Sequence, residues 1–195
     1  MATDSPYSTS TTGGSTGYGR AYRNALRGTW GIRDVADCVD AVRYLVESGR
    51  VDAARVAICG SSAGGYTALR AVATTDTFAA APVRHAIVDP VGWSRAAPKF
   101  QAHHADLLID GATGLQRSVP HTRDAITAPT LIVHGERDTV TPIADARQLA
   151  ASIGSIGSYA TLLTFADEGH GLRNPVHEHQ TLTAELAHLH RALGR

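Results

Sequence analysis

The sequence predicts an α/β protein whose core is a parallel, doubly wound β-sheet. Short apolar segments of strand character alternate along the chain with longer segments in which apolar residues recur at helical spacing, and this alternation is typical of such a sheet. The 195 residues provide enough chain for one domain with a substantial core. We therefore expect functional groups to gather on the loops that follow the carboxyl ends of the strands.

The first half of the chain contains two predicted helices and two predicted strands. Asp34 can cap the first helix, in which apolar residues recur at helical spacing until Gly49 ends it. A short strand over Arg55–Cys59 leads into a second helix that runs to about Ala73. The apolar segment His85–Asp89 is the second predicted strand.

The second half of the chain continues the same alternation. The stretch Val91–Asp124 is predicted to be irregular or weakly helical, and such excursions are the usual place for loops that face a substrate. A third strand over Thr130–His134 is followed by a helix that starts at Pro142. The fourth strand, Ala160–Phe165, precedes a terminal helix over Val176–Leu193.

Charge and hydropathy exclude several classes of partner. Lys plus Arg and Asp plus Glu both number 18, so the chain has no surplus of positive charge with which to bind nucleic acid or an anionic membrane surface. No apolar run approaches the length of a membrane span. We therefore expect neither nucleic acid nor a membrane as a partner.

The N-terminal segment Met1–Gly14 has neither a basic start nor an apolar stretch, so it is not predicted to be a signal peptide. Its Ser, Thr and Gly content indicates a disordered tail over residues 1–13, followed by one folded domain over residues 14–195. Cys38 and Cys59 are predicted to be small core residues of a protein in a reducing compartment. These features predict a cytoplasmic location.

The most specific chemical signal is Gly60-Ser61-Ser62-Ala63-Gly64, which matches the G-x-S-x-G nucleophile elbow. Ser62 must lie at the tip of a sharp strand-to-helix turn that leaves its hydroxyl exposed. Gly60 and Gly64 are expected because a Cβ at either position would collide where strand and helix pass. The N–H of Ala63 then points toward the oxyanion of an acyl-transfer intermediate. The alternative is a glycine-rich loop that contains serines by chance.

Two further motifs follow predicted strands at the same rim of the sheet. Asp138 lies in the loop after the third strand and His170 lies in the loop after the fourth. The order Ser62, Asp138, His170 is the Ser…Asp…His order of the α/β-hydrolases. His170 would take the proton of Ser62, and Asp138 would orient the imidazole and stabilise its charged form.

Other interpretations of these residues remain open. Asp138 is also compatible with a solvated turn residue and His170 with a surface histidine, whereas Glu136 and Asp167 could replace Asp138 as the partner of His170. Gly169 and Gly171 are expected to let the loop carry His170 without steric penalty.

Two pairs of histidines are weaker candidates. His177 and His179, with Glu178 between them, lack the third and fourth ligands of a zinc site, and no metal site is predicted. His103 and His104 are interpreted as exposed polar residues of the irregular stretch.

Three blocks of sequence resemble the catalytic domain of the prolyl oligopeptidase family, closest to its acylaminoacyl-peptidase and dipeptidyl-peptidase branch. The blocks are Gly14-Ser-Thr-Gly-Tyr-Gly-Arg-Ala-Tyr22, Trp30-Gly-Ile-Arg-Asp-Val-Ala-Asp-Cys38 and Gly60-Ser-Ser-Ala-Gly-Gly-Tyr66. The segments His134–Asp138 and Glu168–Gly171 are similar to the aspartate and histidine segments of that family. The resemblance implies an α/β-hydrolase fold, a small peptide substrate and no metal or organic cofactor.

The sequence departs from the family pattern before residue 14. Family members usually carry a β-propeller, several earlier strands of the sheet and a His-Gly-Gly-Pro-like loop that supplies a second oxyanion donor. We therefore expect a partial, N-terminally truncated hydrolase domain whose strand over Arg55–Cys59 has an open edge. That edge could pair with a second copy or with a complementing chain. Loss of one oxyanion donor typically lowers a rate by about 10²–10³.

The sequence thus supports a serine peptidase that cleaves short or N-blocked peptides through Ser62, Asp138 and His170. A carboxylesterase is the alternative of the same class, because this fold hosts many acyl-transfer reactions. The alternative of a different class is a catalytically silent protein that acts as a binding or assembly module through its open sheet edge.

Overall fold

Four strands form a parallel sheet in the order β1-β2-β3-β4. The computed structural model describes residues 8–96, 99, 104–109, 114–122, 125–155 and 159–194. Residues 1–7 of the predicted tail, His103 and parts of the predicted irregular stretch lie outside the described residues. The strands are β1 (Gly60–Ser61), β2 (Ala81–Arg84), β3 (Thr130–Gly135) and β4 (Ala160–Phe165).

The described helices precede β1, connect the strands or follow the last strand. They are α1 (Gly19–Asn24), α2 (Arg33–Glu47), α3 (Ala63–Thr74), α4 (Pro90–Ala96), α5 (His104–Leu108), α6 (Val119–Thr122), α7 (Ile143–Ser155) and α8 (Pro175–Ala192), with 3₁₀ turns at Ala53–Arg55 and Leu115–Arg117. The predicted irregular stretch is therefore weakly helical where it is described.

Helices cover both faces of the sheet, as the sequence predicts for a doubly wound fold. On one face, Ile132 of β3 belongs to a large apolar cluster with Leu149 and Ile153 of α7. On the other face, Val133 packs in a smaller cluster with Phe165 and with Ala184 of α8. All six residues of β3 are buried, because a central strand between two helical layers has no solvated side.

The first strand differs from its prediction. Arg55 ends a 3₁₀ turn, and regular pairing is confined to β1 after an isolated bridge from Ala57 to Ala80. The reason is that β1 is the edge strand of the described sheet and has only β2 to pair with. Among the described residues, no strand pairs with the outer edge of β1. The prediction that Cys59 is a core residue is wrong, because its side chain is exposed.

The second strand also lies elsewhere than predicted, because β2 spans Ala81–Arg84 and His85 ends it with a φ of 45°. Ala86, Ile87 and Val88 are buried, although they form a loop. These apolar side chains pack in the core, although the residues are not part of a strand. Pro82 has no N–H to donate, and it is tolerated in β2 because its nitrogen faces the short β1. On that side the hydrogen bonds are donated by Ile58 N and Ser62 N to the carbonyls of Ala80 and Arg84, which lie before and after Pro82.

Asp34 has a different role from the predicted cap. It is the second residue of α2, and its carboxylate accepts hydrogen bonds from Gly31 N at 2.6 Å and from Thr67 Oγ1 at 2.5 Å. Burial raises the pKa of Asp34 above its ordinary value. The carboxylate thus ties the start of α2 to α3, the helix that follows the elbow. The predicted end at Gly49 agrees with its φ of 69°, just beyond α2.

The described part of the predicted tail contacts the domain. Gly13 N donates to Asp37 Oδ2 at 2.6 Å, and Tyr22 Oη donates to the Thr11 carbonyl at 2.5 Å. These contacts place residues 11–13 against α1 and α2.

Candidate active site

The elbow holds Ser62 in a strained conformation between β1 and α3, with φ 54° and ψ −116°. Ser62 N donates to the Arg84 carbonyl at 2.9 Å, and the Ser62 carbonyl accepts from Ile87 N at 3.2 Å. Tyr66 N closes the first helical turn by donating to the same carbonyl at 3.1 Å. A positive φ is unfavourable for serine, and these bonds from two sides maintain it.

One glycine prediction at the elbow is confirmed and one is wrong. A Cβ on Gly60 would lie 2.1 Å from the Gly64 carbonyl oxygen, so no side chain fits there. A Cβ on Gly64 would meet nothing within 4 Å. The glycine that permits close packing of α3 is Gly65, where a Cβ would lie 2.7 Å from Ala86 Cβ.

Ser62, His170 and Asp138 form one continuous chain of hydrogen-bonding atoms. His170 Nε2 lies 3.1 Å from Ser62 Oγ, and His170 Nδ1 lies 2.9 Å from Asp138 Oδ2. The three residues come from the ends of β1, β3 and β4, as the sequence predicts for this rim of the sheet. With Nδ1–H donating to the carboxylate, Nε2 is free to accept a proton from the serine hydroxyl.

Asp138 is held as a carboxylate. Its side chain is fully buried, and its Oδ1 accepts hydrogen bonds from Val140 N at 2.8 Å and Thr141 N at 2.9 Å. Burial alone would raise the pKa of Asp138. The hydrogen bonds from His134, His170 and Thr141 outweigh that effect and lower the pKa below its ordinary value.

Thr141 and His134 support this carboxylate, and the sequence reasoning missed both. Thr141 Oγ1 donates to Asp138 Oδ2 at 2.7 Å. His134 Nε2 lies 2.9 Å from the Thr141 carbonyl and 3.4 Å from Asp138 Oδ2, and because both of these atoms are acceptors, Nε2 is the nitrogen that donates. The only available signal was spacing, because Thr141 follows Asp138 by three residues and therefore can close a turn on it.

The loop that carries His170 needs only one of its two glycines for its backbone conformation. Gly171 has a φ of 93°, which favours glycine, whereas a Cβ on Gly169 would make an ordinary contact, 3.7 Å from the Arg137 carbonyl oxygen. An isolated antiparallel bridge between Gly169 and Gly171 brackets His170 in a tight loop.

The carboxylates that could have replaced Asp138 are engaged elsewhere. Glu136 Oε1 accepts from Arg147 Nη2 at 2.9 Å and from Thr164 Oγ1 at 3.0 Å. Asp167 is exposed, and its carboxylate lies 3.8 Å from His177 Nδ1. Among the described residues, no hydrogen bond joins either of these carboxylates to His170, whereas Asp138 Oδ2 lies 2.9 Å from His170 Nδ1.

The histidines considered for a metal site have other surroundings. His177 Nδ1 lies 2.9 Å from Glu168 Oε1, and its ring stacks on Phe165 with centroids 4.5 Å apart. His179 is exposed. Within the described ranges, no three or more His, Cys, Asp or Glu side chains are grouped so that they could hold a metal ion.

Ala63 is the first residue of α3, and an N–H at that position has no acceptor within its own helix. The residue is exposed beside Ser62. This position is compatible with the predicted oxyanion contact, which remains a prediction.

In the part of the chain that is described, no helix is both long enough and apolar enough to cross a membrane.

Comparison with known proteins gives one family. The model of the prolyl oligopeptidase family matches residues 7–195. Dipeptidyl peptidase family member 6 of Caenorhabditis elegans is 34% identical over 180 residues, which cover 83% of this chain and 24% of the relative. The acylamino-acid-releasing enzyme of Arabidopsis thaliana is 28% identical over 184 residues, covering 86% of this chain and 24% of that enzyme. The chain thus spans about a quarter of the length of these curated relatives.

Solved structures agree with this comparison. A puromycin-hydrolysing peptidase of Mycobacterium tuberculosis is 38% identical, with a TM-score of 0.91 over 94% of this chain and 29% of that structure. A puromycin hydrolase is 35% identical, with the same TM-score and coverage. The fold prediction is confirmed by these two structures.

Proposed function

The chain belongs to the prolyl oligopeptidase family, and on that premise we propose that it is a serine peptidase that hydrolyses short or N-blocked peptides. Ser62 is the proposed nucleophile, His170 the base and Asp138 the orienting carboxylate. The observation that carries the proposal is the unbroken path from Ser62 Oγ through both ring nitrogens of His170 to Asp138.

The reaction follows from this arrangement. Ser62 Oγ attacks the carbonyl carbon of the scissile amide while its proton passes to His170 Nε2. The positive charge on the imidazolium is stabilised by the Asp138 carboxylate, and Ala63 N–H donates to the developing oxyanion. His170 then protonates the leaving amine. Water, deprotonated by the same nitrogen, attacks the acyl-enzyme and releases the acid and Ser62.

The substrate class is inferred from the relatives. They include dipeptidyl peptidases and acylamino-acid-releasing enzymes, and a serine-to-alanine mutant of puromycin hydrolase has been solved in complex with PGG. We infer that this chain also takes a small peptide. The division into residues 1–13 and 14–195 and the cytoplasmic location stay predictions.

A fluorophosphonate probe tests the proposal directly. We expect the folded 195-residue chain to be labelled on one serine, Ser62→Ala to abolish the labelling, and Ser61→Ala, the adjacent exposed serine, to retain it. Wild-type protein that has not been exposed to the probe should hydrolyse an N-acylated aminoacyl anilide, and labelling should abolish that activity. Cleavage of an aryl ester alone would contradict the peptidase assignment and favour a carboxylesterase.

An assembly module is the second candidate, and the edge strand favours it. Ile58 N and Ser62 N donate to β2, so the alternate residues Ala57, Cys59 and Ser61 direct their peptide groups away from the sheet. Folded protein that resists the probe and associates with itself or another chain in analytical ultracentrifugation would support this candidate over catalysis.

A further inference from the structure

His85 lies beside the proposed triad but takes no part in the reaction described above. Its imidazole is 3% exposed, and its ring centroid lies 5.5 Å from that of His170, with the planes inclined by 56°. On its other side the ring meets His134 at 5.8 Å and 66°. His85 thus separates the catalytic imidazole from a second buried imidazole.

The backbone of His85 is fixed as firmly as that of Ser62. These two are the only non-glycine residues with positive φ in the described chain. The turns interlock, because Ser62 N donates to the Arg84 carbonyl and Ile87 N donates to the Ser62 carbonyl. His85 N donates to the Val133 carbonyl at 2.9 Å. The hydrogen bonds of this strained turn therefore hold the His85 ring in a fixed orientation.

Hydrogen bonding at Nδ1 does not explain the buried ring of His85. His85 Nδ1 is inaccessible to solvent and has no hydrogen-bond partner. Leaving a polar atom in this state costs free energy, so we attribute the presence of the ring at this position to its shape and its faces and not to a bond at Nδ1.

The His85 ring is also uncharged at neutral pH. Its pKa is lowered to about 4, chiefly by burial and also by the neighbouring His134, His170 and Arg84, whereas Asp138 opposes the shift. An uncharged ring does not compete with the His170 imidazolium for the Asp138 carboxylate. The positive charge that forms during the reaction therefore stays on His170.

The orientation of the His170 ring depends on the side chains packed against it, such as His85. The polar contacts of His170, from Nε2 to Ser62 and from Nδ1 to Asp138 and Thr141, all act at the two ring nitrogens, so a tilt of the ring about the line between them is opposed by the side-chain torsions and by packing. The His170 side chain is 27% exposed, so solvent reaches part of the ring and cannot restrain that rotation. The contact with His85 provides a fixed surface for the buried part.

We propose that His85 is a positioning residue, whose ring fixes the tilt of the His170 imidazole so that Nε2 stays aligned with Ser62 Oγ. This inference rests on the proposed function only in that the alignment matters for attack by Ser62. The role belongs to the ring itself and not to its nitrogens, which separates it from a hydrogen-bonding role.

Two substitutions test the inference. His85→Ala removes the ring, and His85→Phe keeps a ring while it removes the unpartnered nitrogen. With a fluorophosphonate, we expect His85→Ala to lower the first-order inactivation constant by about 10-fold to 10²-fold at unchanged probe affinity, because small misplacements of reacting groups have effects of this size. His85→Phe should restore the constant to near the wild-type value.

A matched control and a second readout keep the test decisive. His188→Ala removes another buried imidazole, on α8, and should lower the melting temperature without changing the inactivation constant. If His85→Ala does not fold, His85→Asn replaces it, because asparagine accepts positive φ. The downfield proton NMR signal of His170 Nδ1–H bonded to Asp138 should weaken in the ringless variant and persist in His85→Phe.

The outcomes separate the two proposals. Wild-type protein that resists the probe contradicts the proposed function, and the NMR signal then still tests the role of His85. Unchanged inactivation and an unchanged signal in the ringless variant would overturn the inference. A phenylalanine variant as slow as the alanine variant would also overturn it, since that result assigns the effect to the nitrogens.

Discussion

The main chain of Gly135 passes so close to Glu168 that a Cβ on the glycine would lie 2.5 Å from the Glu168 carbonyl oxygen. Arg137 N donates to that same oxygen at 2.8 Å. Asp138 follows Gly135 by three residues and His170 follows Glu168 by two. The missing side chain at Gly135 therefore lets the aspartate loop and the histidine loop approach within hydrogen-bonding distance.

Gly135→Ala should separate these two loops. The new Cβ would clash with backbone atoms, which cannot rotate away, so we expect the unfolding free energy to fall by about 1–3 kcal/mol. Probe labelling should fall with it, because His170 moves away from Asp138. Urea unfolding measures the first effect. Gly154→Ala, in α7 with open space around the Cβ, is the control and should leave the stability unchanged or higher.

Thr141→Val should weaken the support of Asp138. The substitution keeps the shape of the side chain and removes the hydroxyl that donates to Oδ2 at 2.7 Å. A hydrogen bond to a charged group contributes about 1.5–3 kcal/mol, so we expect a loss of that order in unfolding free energy and slower labelling of Ser62. Thr141→Ser should restore both. Wild-type behaviour of the valine variant would show that the backbone donors suffice.

Glu168→Gln should remove a pH-dependent part of the stability. Hydrogen bonds from Asn174 N, the His177 side chain and Arg173 N lower the pKa of Glu168 from 4.5 to about 2. Because the folded pKa is depressed, this contribution is present above about pH 4.5 and is lost as the pH falls toward 2. The difference in urea midpoint between wild type and variant should be constant near neutral pH and vanish between pH 4.5 and 2. Glu47→Gln, at the exposed end of α2, is the control for the loss of a surface carboxylate.

Arg84→Met should loosen α8 from the sheet. Arg84 donates from Nε and Nη2 to Glu185, both at 2.6 Å, and from Nη1 to Glu178 at 2.7 Å. The hydrogen bonds to Glu185 raise the pKa of Arg84 above its ordinary value. Because Glu185 is only 17% exposed, its unpaired carboxylate should cost about 1–3 kcal/mol.

The matched control for Arg84 is Arg43→Met. Arg43 pairs with Asp40 in α2, and both side chains are more than 60% exposed. Such a surface pair contributes about 0–1 kcal/mol. Equal losses in the two variants would contradict the assignment of a structural role to Arg84.

Local patterns in the sequence were sufficient for the fold class and for three candidate catalytic side chains. The elbow motif around Ser62 is a contiguous signal. Asp138 and His170 each follow a strand whose apolar run was visible in the sequence, and β3 and β4 were predicted within one residue of their observed bounds. Family membership was also visible, because its blocks are short and contiguous.

Strand bounds at the sheet edge were not predictable in the same way. Apolar runs mark burial, and burial does not distinguish a strand from a packed loop. Ala86–Val88 are therefore buried without being a strand, whereas the strand itself contains Pro82. The length of β1 depends on how many neighbours it has, which is a property of the whole sheet.

The sequence by itself determined which residue types stand at the ends of the strands and in what order, because periodicity and motif spacing are local. Only the tertiary structure decided how Asp138 is held and what surrounds His170. His134 and Thr141 come from β3 and the loop after it, whereas His85 comes from the turn after β2 and meets them through main-chain geometry. Such convergence depends on strand register and on close approaches such as that of Gly135 to Glu168, which no local pattern records.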